Sequence, residues 1–202
     1  MKNKGCLSAG TIGIALLIIV AVIFFWGKSG YNNFVTKEQN VNTKWSNVET
    51  VYQKRANLIP NLERTVKAYS KFEQETLTKV IEARSKASSV NVDPTNMNEQ
   101  DIARFQAAQG ELSGALQRLM VVVEKYPDLK ADQQYITFQR EYIAIENSIR
   151  TETVYYNGAV QDYNTSIKTF PNNILANFTN FKEKPLFKAD AGANKAPEAF
   201  SE

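Results

Sequence analysis

The stretch IGIALLIIVAVIFFW, residues 12–26, is almost wholly apolar, and the surrounding residues 5–27 carry no charge. A helix needs roughly 20 such residues to cross about 30 Å of hydrocarbon. The run ends in Phe24-Phe25-Trp26, and aromatic rings of this kind favour the lipid–water interface. We therefore predict a short basic tail over residues 1–6 and a transmembrane helix over residues 7–27. The predicted anchor residues are Leu7, Ile12, Leu16, Ile19, Val22, Phe25 and Trp26.

A cleaved signal peptide would also begin with a short basic segment. However, no small-x-small cleavage pattern follows this run, which continues as FFWGKSGY. A lipoprotein signal does not fit either, because Cys6 precedes the apolar run instead of following it. We interpret Cys6, the chain's one cysteine, as a plain juxtamembrane thiol, with acylation and intermolecular pairing as the alternatives.

The orientation in the membrane is weakly determined. Lys2 and Lys4 precede the run, while Lys28, Lys37 and Lys44 follow it, so the positive-inside rule gives no clear answer. The lysines nearest the membrane slightly favour a cytoplasmic N-terminus and a domain outside the cytoplasm.

Charge and residue usage exclude several classes of function. The 202-residue chain has 24 basic and 21 acidic residues, and residues 28–202 alone have 22 and 21. No concentrated basic face appears, so we predict no nucleic-acid binding. The chain has no histidine, the commonest general base and metal ligand. We interpret the charges as solvated outer faces of helices.

From Tyr31 onward the apolar residues recur at alternating spacings of three and four, the pattern of a helix that buries one face. The stripe comprises Tyr31, Phe34, Val41, Trp45, Val48, Tyr52, Ile59, Leu62, Val66, Tyr69, Val80, Ala83 and Ala87. Glu38, Arg55 and Glu73 fall on the same stripe, which indicates that the seam is not wholly apolar.

Pro60 interrupts this stripe without shifting its phase. Proline removes an amide donor and clashes with the carbonyl four residues earlier, here that of Ala56. No turn residues surround it, so we favour one long helix kinked near Pro60 over two helices folded back on each other. A polar partner should satisfy the carbonyl that the kink frees.

Residues 88–98 (SSVNVDPTNMN) predict a loop, with Asn98 as the cap of a second helix. That helix carries the pattern Ile102, Phe105, Gln109, Leu112, Leu116, Leu119, Val123 and Tyr126. Gly110 and Gly114 lie inside it, and each costs roughly 1 kcal/mol relative to alanine. We expect another helix to approach closely at these glycines. The alternative is that both glycines are exposed to solvent and have no structural role.

A third long helix follows a short turn at Pro127. Its stripe comprises Tyr135, Phe138, Tyr142, Ile145, Ile149, Tyr156, Val160, Tyr163, Ile167 and Phe170. A short amphipathic piece over residues 172–181 comes next, with Ile174, Leu175, Phe178 and Phe181 assigned to one side. We therefore predict an all-α fold, with a helical bundle over residues 28–182 and a disordered tail over residues 183–202.

Several distinctive blocks occur in an order that closely resembles the bacterial LemA family, over nearly the whole of residues 31–187. They include RANLIPNLER at 55–64, YPDLKA at 126–131, YYN at 155–157, DYN at 162–164 and FP at 170–171. The positions that carry the resemblance are Arg55, Pro60, Asn61, Tyr126, Pro127, Asp128, Tyr155, Asn157, Asp162, Asn164 and Pro171.

The resemblance implies a membrane-anchored bundle described as four helices, located in the bacterial cytoplasmic membrane. It implies no established biochemical activity and no role for the shared positions, which are either structural or binding residues. A magnetosome-associated protein of magnetic bacteria resembles the same family, which points to membrane organisation there.

We find no sequence support for an enzyme. Metal sites in helical bundles typically use Glu-x-x-His pairs, which this chain cannot build. Its glycines lack the Lys-Ser/Thr partner of a phosphate loop. Carboxylate pairs could arise among Glu63, Glu73, Glu82, Glu141 and Glu146, although helical bundles generally offer such sets as solvated faces. We predict no catalytic residue, cofactor, metal or small-molecule substrate.

The favoured hypothesis is a membrane-anchored scaffold or adaptor that binds unidentified membrane or peripheral proteins and can self-associate. Tyr155 is the better candidate for an exposed contact, because its neighbour Tyr156 occupies the core stripe. The alternative is a protein that organises the membrane surface through residues 172–181. Packing of that segment against the bundle is the simpler interpretation.

Overall fold

The computed structural model describes residues 9–69 and 72–188, and every regular element in those ranges is a helix. The elements are α1 (Ala9–Lys67), α2 (Gln74–Ser89), α3 (Glu99–Val123), α4 (Pro127–Lys130), α5 (Gln133–Lys168) and α6 (Asn172–Phe178). The predicted all-α fold is confirmed. The predictions for residues 1–8, including Cys6 and Leu7, lie outside the described residues, as do those for residues 189–202.

The helix α1 continues without a break from the apolar run through Gly27, Gly30 and Pro60. Its first part, from Gly10, is long and apolar enough to cross a membrane, and none of it is buried in the protein. Six of the predicted anchor residues lie in the described part of the chain, and each is 37–65% exposed: Ile12, Leu16, Ile19, Val22, Phe25 and Trp26. These residues thus form a candidate membrane span.

The structure differs from the sequence prediction at residues 68–73, where the chain leaves α1 before α2 begins. Two helices therefore replace the single kinked helix that we expected over residues 31–89. The break lacks glycine and proline; it is accompanied by burial of Phe72, which is 3% exposed and packs on the Tyr126 ring at 5.1 Å. Turn hydrogen bonds also occur here, from the Tyr69 amide to the Val66 carbonyl at 3.0 Å and from the Phe72 amide to the Tyr69 carbonyl at 2.9 Å.

The chain divides into two compact units, the first comprising Met1–Asn40 and Asp162–Glu183. In this unit Phe34, Tyr163 and Ile167 are buried. The Phe181 ring lies 5.4 Å from that of Phe34, and the Tyr163 hydroxyl donates to the Lys182 carbonyl at 2.9 Å. These contacts fix α6 and the residues after it within the unit.

The second unit comprises Val41–Gln161 and Lys184–Glu202. Its main core is built from the apolar stripes of α1, α2, α3 and α5, as their spacing predicts. The buried residues of this core include Ile59, Leu62, Val66, Leu77, Val80, Leu112, Leu116, Leu119, Tyr135 and Phe138. A second, aromatic cluster surrounds Trp45, whose ring contacts those of Phe105, Tyr156 and Phe187.

Asn98 caps α3 as expected. Its side chain accepts hydrogen bonds from the amides of Gln100 (2.9 Å) and Asp101 (3.0 Å), and the Asp101 carboxylate accepts from the Asn98 amide. Such reciprocal caps satisfy amides that have no partner inside the helix. The loop predicted before Asn98 is confirmed for residues 90–98.

Residues 184–188 pack within the second unit, although the sequence assigns them to a disordered tail. The Lys184 ammonium is buried and donates to the carbonyls of Pro94 and Thr95, both at 3.1 Å. Phe187 is 8% exposed and stacks on Trp45. The apolar pair Leu186-Phe187 in an otherwise polar tail is the signal that was available in the sequence.

Candidate functional site

Arg55 is the most buried charged side chain in the described structure, with 2% exposure. Its Nη1 donates to Glu146 Oε1 at 2.9 Å and to Ser113 Oγ at 2.5 Å. Its Nη2 donates to Gln109, reaching the side-chain oxygen at 2.6 Å and the carbonyl at 3.0 Å. The guanidinium also lies over the Tyr52 ring, 5.0 Å from the centroid. We call these five residues the Arg55 cluster.

The Arg55 cluster connects four helices. Arg55 lies on α1, Gln109 and Ser113 on α3, and Glu146 on α5, while Gln109 Nε2 reaches the Ala87 carbonyl of α2 at 3.5 Å. A buried charge is tolerated only when it is paired and hydrogen-bonded, as it is here. One buried guanidinium thus joins helices of the second unit through its hydrogen bonds.

Tyr142 lies beside the Arg55 cluster. Burial raises the pKa of its hydroxyl, and the nearby Glu146 carboxylate raises this pKa further. A cavity of about 430 Å³ adjoins the cluster, and besides the five cluster members it is lined by Gln106, Gly110, Gly114, Gln117 and Ile149. Glu146 is one-third exposed at this cavity, and Tyr52 and Ser113 are half-buried.

Pro60 leaves the Ala56 carbonyl without its usual donor within the helix, as its position predicts. The carbonyl of Ala56, which loses the amide at position 60, accepts a hydrogen bond from Arg84 Nε of α2 at 3.0 Å. The polar partner expected from the sequence is thus a residue of the neighbouring helix. Asn61, next to Pro60, is exposed and accepts a bond from the Arg64 guanidinium at 2.5 Å.

The remaining family positions are spread over the molecule. Tyr126 packs on Phe72, Pro127 begins α4, and Asp128 is exposed in the first turn of that helix. Tyr155 is 54% exposed, as expected, with the Lys44 ammonium 5.3 Å from its ring centre. Asp162 is exposed, Asn164 is half-buried, and Pro171 immediately precedes α6. These positions do not converge on one pocket.

Asn157 holds the chain segment after Pro185 in place. Its amide nitrogen donates to the Phe187 carbonyl at 3.1 Å, and its amide oxygen accepts from the Phe187 amide at 2.9 Å. Beside it, the buried Tyr156 hydroxyl donates to the Pro185 carbonyl at 2.8 Å. The YYN block thus presents one ring to solvent and uses its other two side chains to bind the backbone of residues 185–187.

An open groove between α2 and α3 has a volume of about 1010 Å³. We call it the α2–α3 groove. Ala83, Ala115, Val121 and Val122 supply its apolar surface. Its charged residues comprise three acids, Glu73, Glu82 and Glu111, and three bases, Lys79, Arg118 and Lys125.

Gly110 and Gly114 line the α2–α3 groove, and this corrects one expectation. We expected a neighbouring helix of the chain to pack closely over them. Instead, a Cβ built on either glycine meets no other atom within 4 Å. The two glycines lie four residues apart and so share a helix face, which is open.

The candidate carboxylates do not form a shared site within the described ranges. Glu146 pairs with Arg55, Glu63 pairs with Lys67 at 2.7 Å, and Glu73 and Glu82 line the α2–α3 groove. In residues 9–69 and 72–188, no group of three or more Cys, Asp or Glu side chains is placed to hold a metal ion.

The Arg55 cluster was not predicted as a unit, although its parts were visible. Arg55 and Gln109 are polar residues at core positions of their stripes, and Glu146 was among the candidate carboxylates. Polar residues at core positions on separate helices are a signal that they pair with one another. The sequence could not show which helices would bring them together.

Comparison with known proteins agrees with the resemblance in the sequence. The LemA family profile matches residues 44–199. Protein LemA of Metamycoplasma hominis is 28% identical over 177 residues, covering 87% of this chain and 77% of that relative. Magnetosome protein MamQ 2 of Paramagnetospirillum magneticum is 29% identical over 192 residues, covering 85% and 71%. Because the profile spans most of the chain, this protein belongs to the LemA family.

Proposed function

We propose that this protein is a non-enzymatic scaffold, anchored in the bacterial cytoplasmic membrane by one pass of α1, which binds a helix of a partner protein in the α2–α3 groove. The observation that carries the proposal is the open face at Gly110 and Gly114. Helix-in-groove binding is a recurrent mode of recognition between proteins. The partner is a membrane or peripheral protein, or a second copy of the chain.

The open glycines support a docking role because, in the part of the chain that the structure describes, no neighbouring atom lies within 4 Å of their Cβ positions. Glycine inside a helix costs about 1 kcal/mol relative to alanine. Close packing by another helix of the chain would offset this cost, and neither position has it. A partner helix could approach the α3 backbone at both positions, since no side chain would hold it away.

The chemistry of the groove suits a protein partner. Val121 is 67% exposed, so a large apolar side chain is available for burial at the groove. The acids and bases around it are equal in number, which would give a partner a polar rim of both signs. Such mixed charge offers no preference for a polyanion.

The membrane anchor and the non-catalytic role are supported by different observations. The anchor is supported by the exposed apolar part of α1, and the non-catalytic role by the Arg55 cluster, whose charged groups are already paired. We place the second unit outside the cytoplasm, following the slight bias of the lysines near the apolar run.

Photo-crosslinking in the native membrane tests the proposal. A photoreactive amino acid at Val121 should yield discrete crosslinked species that mass spectrometry identifies as one partner or a second copy. The control is the same amino acid at Ile143, an equally exposed apolar residue of α5 away from the groove. Equal crosslinking from both positions, or none from Val121, would contradict groove binding.

A further inference from the structure

We propose that α6 lies in the headgroup layer of the membrane that α1 crosses, and that Phe170, Ile174 and Phe178 insert there among the lipids. The proposal depends on the membrane span of α1 but not on the α2–α3 groove. It assigns a lipid contact to a segment for which packing within the protein was the simpler expectation.

The apolar side chains of this segment point in two directions, instead of sharing the single side that the sequence suggested. Phe170, Ile174 and Phe178 are 76%, 60% and 89% exposed. Ile174 and Phe178 are four residues apart, so they lie on one face of α6. Leu175 and Phe181 instead pack against α1, and Ala176 is buried. Internal packing therefore leaves three large apolar residues uncovered.

Contacts within the first unit place α6 next to the end of the candidate membrane span. A Cβ on Gly30 would come within 2.7 Å of Leu175 Cδ2, so the two helices are as close as a glycine permits. The Phe181 ring lies 5.5 Å from the Tyr31 ring. The two α1 residues in these contacts, Gly30 and Tyr31, come only four and five residues after Trp26, the last residue of the apolar run.

This spacing corresponds to the depth of the headgroup layer. Four residues of helix extend about 6 Å. The polar region on each side of the hydrocarbon is roughly 5–8 Å thick. With Trp26 at the edge of the hydrocarbon, α6 lies within that layer. Its exposed face then continues the apolar surface that α1 presents to lipid, which identifies lipid as its occupant.

The charges around α6 indicate that the contact is apolar in origin. The sequence of α6, NNILANF, contains no charged residue. Lys168, just before it, pairs with Glu183 at 2.7 Å. Lys182, after α6, and Lys28, at the end of the apolar run, are exposed bases. Because only these two bases lie near the three exposed apolar side chains, insertion should occur in zwitterionic lipid, and anionic lipid should add little to it.

Depth-dependent quenching of a fluorescent label in the full chain tests the proposal. In a Cys6→Ser background, Phe178→Cys or Ile174→Cys is labelled with an environment-sensitive fluorophore and reconstituted into phosphatidylcholine vesicles at high dilution. We expect emission at shorter wavelength than in water, and strong quenching by lipids that carry a nitroxide near the headgroup. Addition of anionic lipid should not change either signal.

The matched control is Asn40→Cys, an exposed position on the same helix α1 that lies about 21 Å beyond Trp26. Its label should emit as in water and escape quenching. Labels at 174 and 178 that behave like the label at 40, in protein with unchanged helicity, would overturn the proposal. That result would leave the groove hypothesis untouched, since no groove residue is altered.

Discussion

Arg55 is a buried residue of α1 whose guanidinium donates hydrogen bonds to α3 and α5. Its guanidinium is almost fully buried, whereas its partner Glu146 is one-third exposed. Removing one partner of a buried pair typically costs 3–5 kcal/mol because the other charge is left without compensation. Here the neutral oxygens of Ser113 and Gln109 remain as acceptors, so the cost should be smaller.

We expect Glu146→Gln to lower the free energy of unfolding by about 2 kcal/mol, because a buried charge keeps its hydrogen bonds but loses its counter-ion. Thermal unfolding followed by circular dichroism, in detergent and at fixed pH, measures the change. Glu141→Gln, at an exposed position of the same helix, should alter stability little. An equally small effect at Glu146 would show that the pair adds nothing to alignment.

Substitution of the groove glycines should stabilise the protein instead of destabilising it. Gly110→Ala and Gly114→Ala should each raise the free energy of unfolding by up to about 1 kcal/mol, since alanine favours the helix and its Cβ enters open space. The same measurement applies. A loss of stability at either position would mean that the α3 backbone is covered in the free protein, which is incompatible with an open groove.

At the scale of elements, Pro60 and Arg84 act together. The Ala56 carbonyl accepts from Arg84 because proline cannot donate to it. We expect Arg84→Ala to destabilise the protein by roughly 1–2 kcal/mol, and by less in a Pro60→Ala background, where the amide at position 60 takes over. A double-mutant cycle in thermal unfolding gives the coupling. Strictly additive changes would show that the two helices are not coupled through this carbonyl.

The helices themselves could be predicted from the spacing of apolar residues. The stripes of α3 and α5 and the Asn98 cap follow from local sequence. The break before α2 could not be predicted, because the burial of Phe72 that accompanies it involves residues distant in sequence. The same holds for residues 184–188, which Asn157 holds by contacts 30 positions away in sequence.

The candidate site could be predicted only in part, for the same reason. The sequence singled out Gly110 and Gly114 and showed that they needed an explanation. It could not tell whether a helix of this chain or open space lay over them, since that depends on where α2 packs. Likewise, the apolar residues of the 172–181 segment were identified from the sequence. Only the structure shows that Phe178 is exposed whereas Phe181 packs against α1.

At the scale of the whole molecule, buried tyrosines determine the alkaline limit of stability. Burial raises the pKa of Tyr135 to about 12, raises the pKa values of Tyr156 and Tyr163 well above the usual value, and also raises the pKa of Tyr142. The folded protein thus favours the neutral phenol. Its contribution to stability is complete below the unfolded pKa of about 10 and is lost as pH rises above that value.

We therefore expect the protein to lose helicity cooperatively above about pH 10, with ionisation of these four tyrosines occurring in the same step. Tyrosinate absorbance and circular dichroism, recorded on one sample during an alkaline titration, provide the comparison. Complete ionisation of all nine tyrosines while helicity is retained would contradict the burial of these rings.

If a partner helix binds the open face of α3, a bulky residue on that face should block it. The variant is Gly114→Leu, and the matched control is Gly158→Leu, a helical glycine of α5 that also has open space around it and lies away from the α2–α3 groove. Crosslinking from Val121 in the native membrane provides the readout, with helicity and melting temperature measured for both variants. We expect the Val121 crosslink to be lost in Gly114→Leu and retained in Gly158→Leu, with both proteins folded. An unchanged crosslink in folded Gly114→Leu would show that no partner helix lies on this face.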